Sequence, residues 1–396
     1  LLSHLPKRPD CLLIEGCDFE GFPPGGQLAM AQRLMSAFGN RLALVGICTD
    51  DTPVGRWIER DIDGTRYWFY GIGRRRRDAR RPLVPARLSL AAGLRRHRDG
   101  VLSLDVRSAF VQAPEAVFVV AQWGLTSLSY CFPGVSNPLS ISRYRWARPL
   151  AGWFDHFLFR SLDRAEVIFA SVDARAVDEL VARSGGRLRR DRVRLLPTSF
   201  DGRVFTIRPA AEARQELGVP GSTALLVCSG RISRPKGWDF LLDVLGRLSS
   251  TLPDVQLVFV GDGEDRAALE EEAAHRGLSD RVLVTGFLPP AGVARWLQAA
   301  DVVVVGSRTE GWSVSMLEAL ASGRALVSTD VSGACDMIRD GENGYVVPKR
   351  DPDAFAAAVR AALELPHAPE VSLALSRQYT VHEMARRVSA SWEPLS

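Results

Sequence analysis

Two stretches of this chain set charged side chains at spacings that suit an anion and a polyol. The first reads Ser229-Gly230-Arg231-Ile232-Ser233-Arg234-Pro235-Lys236-Gly237. Glycines at both ends allow close backbone approach, Arg231 offers a planar fork of donors, and Lys236 a compact point charge, a pairing fit for a diphosphate. A solvated basic loop is the plainer reading of such a run. Composition tilts the balance: among 50 Lys and Arg residues only Lys7, Lys236 and Lys349 are lysine, so Lys236 breaks a strong habit of using arginine.

The second stretch runs Ser307-Arg308-Thr309-Glu310-Gly311-Trp312-Ser313-Val314-Ser315-Met316-Leu317-Glu318-Ala319, directly after four consecutive valines. Ser313 has the chemistry of a helix N-cap and Gly323 that of a helix stop, which puts Glu310 on the preceding loop and Glu318 about a turn and a half inside the helix. Backbone N–H groups of Gly311, Trp312, Ser313 and Val314, reinforced by the helix dipole, form an anion-binding end beside Glu310. Carboxylates accept hydroxyl hydrogen bonds, so sugar or ribose hydroxyls are their natural partners. Alone, the pair reads as one capping and one exposed helical glutamate.

These side chains need a scaffold. Both halves alternate short apolar runs with longer amphipathic segments, the pattern of parallel sheets flanked by helices. In the first half strands are expected at Cys11–Glu15, Leu42–Ile47, Thr65–Tyr70, Val117–Gln122 and Val167–Ser171, with helices near Leu28–Phe38, Pro149–Ser161 and Ala174–Arg183. In the second, six strands (Ala224–Ser229, Gln256–Val260, Val282–Thr285, Val302–Val305, Ala325–Ser328, Tyr345–Val347) alternate with five helices. The expected fold is α/β, with two Rossmann-like α/β/α domains facing a central cleft. Residues 1–200 form the first domain, completed by a C-terminal helix within 376–396, and residues 201–375 form the second; the linker lies near Leu196–Pro209. Open sheets of this kind bind ligands at the carboxyl ends of their strands.

In order along the chain stand Gly-Arg-x-x-x-x-Lys-Gly, Val260-Gly261-Asp262-Gly263, Val284-Thr285-Gly286-Phe287, Glu310-x7-Glu318 and Ala319-Leu320-Ala321-Ser322-Gly323. Over residues 223–365 this series resembles the GT-B glycosyltransferases of the family 4 type (glycosyl transferases group 1); over the first half the resemblance is architectural. It implies a retaining transferase. Arg231 and Lys236 would neutralise the diphosphate leaving group, with Gly230 beside them. Glu310 and the backbone from Gly311 through Trp312 and Ser313 to Val314 would hold the transferred sugar, and Glu318 the ribose. Phe287 and Leu288 match the position that meets the nucleobase, and Gly25-Gly26 the glycine loop that reaches the donor phosphates. The chemistry implied is leaving-group stabilisation by fixed cations, with no metal or cofactor. The reaction expected is transfer of a hexosyl-type sugar from a UDP- or GDP-sugar to a glycan or lipid-linked acceptor; a catalytically silent nucleotide- or sugar-binding protein is the alternative. Two departures stand out. Tyr130–Asn137, where many relatives carry a histidine, has none, and the linker reads Pro197-Thr198-Ser199-Phe200-Asp201.

Asp61-Ile62-Asp63 and Asp351-Pro352-Asp353 mimic a metal-binding Asp-x-Asp, but neither follows an apolar strand, so both are expected to be solvated turns. Six scattered cysteines and six histidines show no zinc spacing, consistent with a reduced, cytosolic protein. The uncharged stretch from Ala116 to Ser142 carries too many polar and proline residues for a membrane span and is expected to supply core strands and a loop. Charge is uneven: residues 1–200 hold 30 basic against 20 acidic side chains, a balance of +10, while residues 201–396 hold 20 against 26, or −6. The polybasic run from Arg74 to Arg98 contains Leu83, Val84, Leu88, Leu90 and Leu94 as an apolar stripe. It suits an anionic membrane surface as well as it suits a solvated loop, and nucleic acid less well, since it lacks interleaved aromatics.

Overall fold

A computed structural model describes residues 8–23, 25–76, 86–140 and 145–390. The chain divides into two compact units. One runs up to Thr198 and takes in the chain again from Val381; the other is Ser199–Thr380.

The first unit is built on an eight-stranded sheet of β1 (Cys11–Ile14), β2 (Leu42–Cys48), β3 (Trp57–Ile62), β4 (Thr65–Arg74), β5 (Ser108–Val111), β6 (Ser127–Phe132), β7 (Val167–Ala170) and β8 (Val193–Leu195). Their order across the sheet is β3-β4-β2-β1-β5-β6-β7-β8, parallel throughout except for β3 against β4. Parallel strands covered on both faces are apolar in every position, and β1 and β7 are buried at all four residues. The edge hairpin turns at Asp63 (φ 50°) and Gly64 (φ 77°), the Asp-Gly pair that suits a two-residue turn. The Gly64 N–H donates to the Asp61 carboxylate at 3.0 Å, so the first Asp-x-Asp is a hairpin turn.

One expected strand is a helix. Pro114–Val120, which overlaps the run expected as Val117–Gln122, forms the crossover between the parallel strands β5 and β6, with Pro114 in its first turn. Nearly every residue of it is buried, and a fully buried short helix has no polar face to betray its period. The strands β3, β5 and β8 were not expected either, while β6 falls in the stretch Ala116–Ser142 that was expected to supply core strands and a loop.

The second unit is regular. Strands β9 (Ala224–Ser229), β10 (Val255–Val260), β11 (Val282–Val284), β12 (Val302–Val305), β13 (Ala325–Thr329) and β14 (Gly344–Val347) form one parallel sheet in the order β11-β10-β9-β12-β13-β14. That is the strand order of a doubly wound Rossmann-type sheet, with its direction of winding reversing between β9 and β12. Hydrophobic clusters fill both faces, one around Leu225, Val303 and Leu320 and the other around Leu226, Leu245 and Phe355. Asp351 caps the helix Pro352–Leu363, accepting from the N–H groups of Asp353 and Ala354 at 2.9 and 3.3 Å, which accounts for the second Asp-x-Asp.

Beyond Thr380 the helix Val381–Ser389 belongs to the first unit, where Met384 and Val388 join the cluster that holds Leu28, Met35 and Phe69. Residues 391–396, the end of the segment expected to be helical, lie outside the described residues.

Candidate functional site

In a doubly wound sheet the ligand crevice opens where the winding reverses, beyond the carboxyl ends of the strands. In the second unit those ends belong to β9 and β12, and both charged motifs follow them. After β9 the chain passes Gly230 and makes a short turn at Arg234–Lys236 before the helix Trp238–Leu248 begins. Gly237 sits at φ 77°, and a Cβ there would lie 1.9 Å from the Gly306 carbonyl oxygen, so only glycine lets the two loops touch. Beneath the Arg231 loop the Gly230 N–H donates to the Val260 carbonyl and the Ile232 N–H to that of Asp262, both at 3.0 Å. A Cβ on Gly261 would fall 2.0 Å from the Gly230 oxygen. The Gly-Asp-Gly motif is thus a seat for the basic loop.

Lys236 Nζ donates to both carboxylate oxygens of Glu310, at 2.7 and 2.8 Å. Ser307 Oγ donates to Glu310 Oε1 at 2.6 Å, and the Ser307 carbonyl accepts from Thr329 Oγ1 at 2.6 Å, which ties the group to the end of β13. The Glu310 side chain is nearly buried while that of Lys236 is partly exposed, so the ammonium faces outward from an anchored carboxylate. Arg231, more exposed, pairs through Nε with Glu264 at 2.8 Å. A pocket lined by Gly230, Arg231, Lys236, Ser307, Glu310 and Ser315 joins the two motifs. Cys228 also lines it; burial pushes the thiol up to about 12 against the opposing pull of Lys236, and it stays neutral.

Other expected residues are placed differently. Ser313 does begin the helix Val314–Ala321, but its hydroxyl meets Ser315 Oγ at 2.9 Å instead of capping the helix. Gly311 and Val314 are half-buried along the same loop and helix end. The Trp312 ring packs against the apolar cluster, its centroid 5.7 Å from that of Tyr379. Glu318, half-buried on the helix, does not line the pocket of Lys236 and Glu310. After β11, Phe287 is exposed and Leu288 packs against the core. Ser307, Ser315 and Glu264 were not singled out in the sequence. Ser307 was legible as a hydroxyl three residues before a carboxylate at a strand end, whereas Glu264 becomes visible only when the loops pair.

The first unit has its own reversal, between β1 and β5, and a cavity of about 290 Å³ opens there. Gly25 and Gly26 line it at the start of the helix Gly26–Phe38, together with Glu15, Gln27, Arg75 and Glu115. Glu15 is buried at the end of β1 and accepts from the Gln112 N–H at 3.0 Å. Burial pushes its carboxyl up to about 8, against the hydrogen bonds from Gln112 and Gly16, and the neighbouring Glu115 adds to the rise. Asp18, three residues on, goes the other way. Burial would raise it, but the N–H groups of Gly21, Phe22 and Glu20 and the Thr49 hydroxyl hold it below the usual carboxylate range. Glu15 and Glu115 were missed in the sequence because isolated glutamates beside apolar runs carry no spacing signal.

The basic run is corrected in one respect. In the helix Ala86–Arg96, Leu90 and Leu94 are buried in the core of the first unit, one helical turn apart, and only Leu88 of the described leucines is exposed. Of the expected apolar stripe, Leu90 and Leu94 therefore face inward and Leu88 outward; Leu83 and Val84 lie outside the described residues, as do residues 77–81 of the arginine run. Arg74 is exposed and pairs with Asp51 at 3.1 Å. Among the described residues no three His, Cys, Asp or Glu side chains gather as a metal site, and no helix is long and apolar enough to cross a membrane.

Residues 210–378 match the family Glycosyl transferases group 1. The matched stretch lies within the second unit. The chain is similar to a D-inositol 3-phosphate glycosyltransferase of Acidothermus cellulolyticus, 30% identical over 203 residues, which are 49% of this chain and 44% of the relative. It is also similar to an alpha-D-kanosaminyltransferase of Streptomyces kanamyceticus, 32% identical over 225 residues, 56% of each protein. The chain spans about half the length of the curated relatives it matches. Solved structures match nearly throughout. Anabaena Alr3699/HepE in complex with UDP aligns at a TM-score of 0.74 and 17% identity, covering 98% of this chain and 100% of that one. Sucrose-phosphate synthase from Thermosynechococcus elongatus aligns at 0.75 and 19% identity, covering 98% and 99%. The chain has the GT-B fold, as the motif series implied.

Proposed function

We propose that the chain is a retaining, metal-independent glycosyltransferase of the family 4 type that moves a hexosyl-type sugar from a UDP- or GDP-sugar to a glycan or lipid-linked acceptor. The observation that carries this reading is the group of Arg231, Lys236, Ser307 and Glu310 at the reversal of a Rossmann-ordered sheet. Support comes from the neighbours: HepE was solved in complex with UDP and with UDP-glucose.

In this scheme the bond between the sugar's anomeric carbon and the diphosphate breaks with its electron pair moving to the phosphate oxygen, where Lys236 and Arg231 meet the growing charge. The acceptor oxygen bonds that carbon on the face the diphosphate leaves, and its proton passes to the departing phosphate. Glu310 and the backbone of Gly311–Val314 orient the sugar, and Glu318 takes the ribose. For Lys236 the diphosphate competes with Glu310, so donor binding loosens an internal ion pair and frees a carboxylate for sugar hydroxyls. Glu15, Glu115 and Gln27 give the first-unit cavity the hydrogen-bonding chemistry of a polyol acceptor site. The proposed setting is the inner face of an anionic membrane, drawn by the basic first half at roughly 1 kcal/mol for each basic residue near the lipid.

The test supplies labelled UDP- and GDP-sugars with acceptor extracts and measures release of nucleoside diphosphate, after a thermal-shift panel of UDP, GDP, ADP and dTDP has fixed the base. Binding without turnover on any donor would sink the enzyme and leave a silent binding protein.

A further inference from the structure

The helix Ala151–Leu162 is apolar on two sides. Its inner side, with Phe154 and Leu158, packs into the core of the first unit. On the outer side Trp146, Leu150, Trp153 and Phe157 are 62%, 47%, 71% and 48% exposed. Trp153 and Phe157, four residues apart, share one face of the helix, Leu150 stands three residues before Trp153, and Trp146 lies on the 3-10 turn Arg145–Leu150 that leads into it. Trp153 and Phe157 have ring centroids 6.3 Å apart. A second apolar face on a helix needs cover of its own, and scattered single exposures do not account for Leu150, Trp153 and Phe157 set side by side.

The surroundings say what covers it. Arg148 and Arg160 are exposed beside the stripe, and the single acid of the stretch, Asp155, turns to Arg183 at 3.4 Å. Tryptophan and phenylalanine above a basic flank match the boundary of an anionic bilayer, where rings sit among the headgroups and guanidinium groups meet phosphate. A second copy of the chain fits worse. A symmetric pairing would set like charges against each other, and four apolar side chains fall far short of the 20–30 residues a side of a standard interface, roughly.

We infer that Trp146, Leu150, Trp153 and Phe157 form a hydrophobic foot by which the first unit inserts into an anionic membrane surface. This deepens the peripheral-membrane reading and rests on it: the arginine run attracts, the foot inserts. Apolar insertion is not screened by salt, whereas the attraction is.

The test is co-sedimentation of the full chain with phosphatidylcholine vesicles, with and without phosphatidylglycerol. Wild type is expected to bind the anionic vesicles and to keep part of that binding at high salt. Trp153→Ser with Phe157→Ser is expected to weaken binding at least about tenfold and abolish the salt-resistant part, and Trp146→Ser alone should weaken it in the same direction. Brominated lipid tails should quench tryptophan fluorescence in wild type and much less in the double variant. An unchanged thermal midpoint establishes that the variant folds. If wild type sediments and the double variant sediments equally, the foot is wrong and the arginine-based attraction stands. If wild type ignores all vesicles at low salt, the membrane reading itself falls. A wild-type dimer that the double variant converts to monomer would assign the stripe to self-association and overturn the inference.

Discussion

With both Lys236 contacts directed to one carboxylate, removing either partner has opposite consequences for an anion. Lys236→Ala should lower kcat/KM for the nucleotide sugar by roughly 10²–10³-fold and weaken UDP binding, because the charge that meets the leaving group is gone. Glu310→Gln should lower turnover by a similar factor yet leave UDP affinity equal or improved, since Lys236 loses its competitor. Calorimetry with UDP alongside a diphosphate-release assay separates the two. Glu15 provides a different handle. The stability contributed by its neutral form is complete below its ordinary value of 4.5 and is lost as pH climbs toward about 8. Wild type should therefore lose several degrees of thermal midpoint between about pH 5 and about pH 8.5, and Glu15→Gln should lose less. The order of motifs assigned Lys236 and Glu310 to one site, but their ion pair across 74 residues was not legible in the sequence. Glu15 was not legible at all, because its shift arises from burial that no spacing records.

At the scale of elements, all six strands of the second unit were legible, whereas in the first unit β1, β2, β4 and β7 were legible and β3, β5 and β8 were not, for a physical reason. From β9 to β13 each strand of the second unit alternates with a helix, so the change of period marks those boundaries, whereas the short helix Ala334–Met337 and the helices Ala210–Leu217 and Ala368–Ser376 were not legible. In the first unit Pro114–Val120 is buried on nearly all sides and reads as a strand, which hides β5 just before it. The Asp63-Gly64 turn did carry a hairpin signal, and weighing it would have recovered β3. Leu90 and Leu94 show the converse: a row of leucines among arginines looked like a membrane face, but its turn of the helix points to the core. Gly237 offers the clearest test of a packing claim. Gly237→Ala meets both a left-handed backbone and the Gly306 oxygen, so it should cost about 3 kcal/mol of stability, read from the denaturant midpoint, and disturb donor binding with it.

The whole molecule shows why a linear division of the chain is incomplete. The first unit closes with Val381–Ser389, so ending the chain at Thr380 should expose the cluster around Leu28 and Phe69 and lower the thermal stability of the first unit while leaving UDP binding by the second largely intact. Differential scanning calorimetry with and without UDP distinguishes the two transitions. The consequence reaches into biosynthesis. Because Val381–Ser389 follows the second unit in the chain, the segment Ser199–Thr380 emerges from the ribosome before that helix does, while its predecessor is still unfinished. The first unit must wait through that interval with an open apolar face, which makes it the part of the nascent chain that chaperones should engage longest.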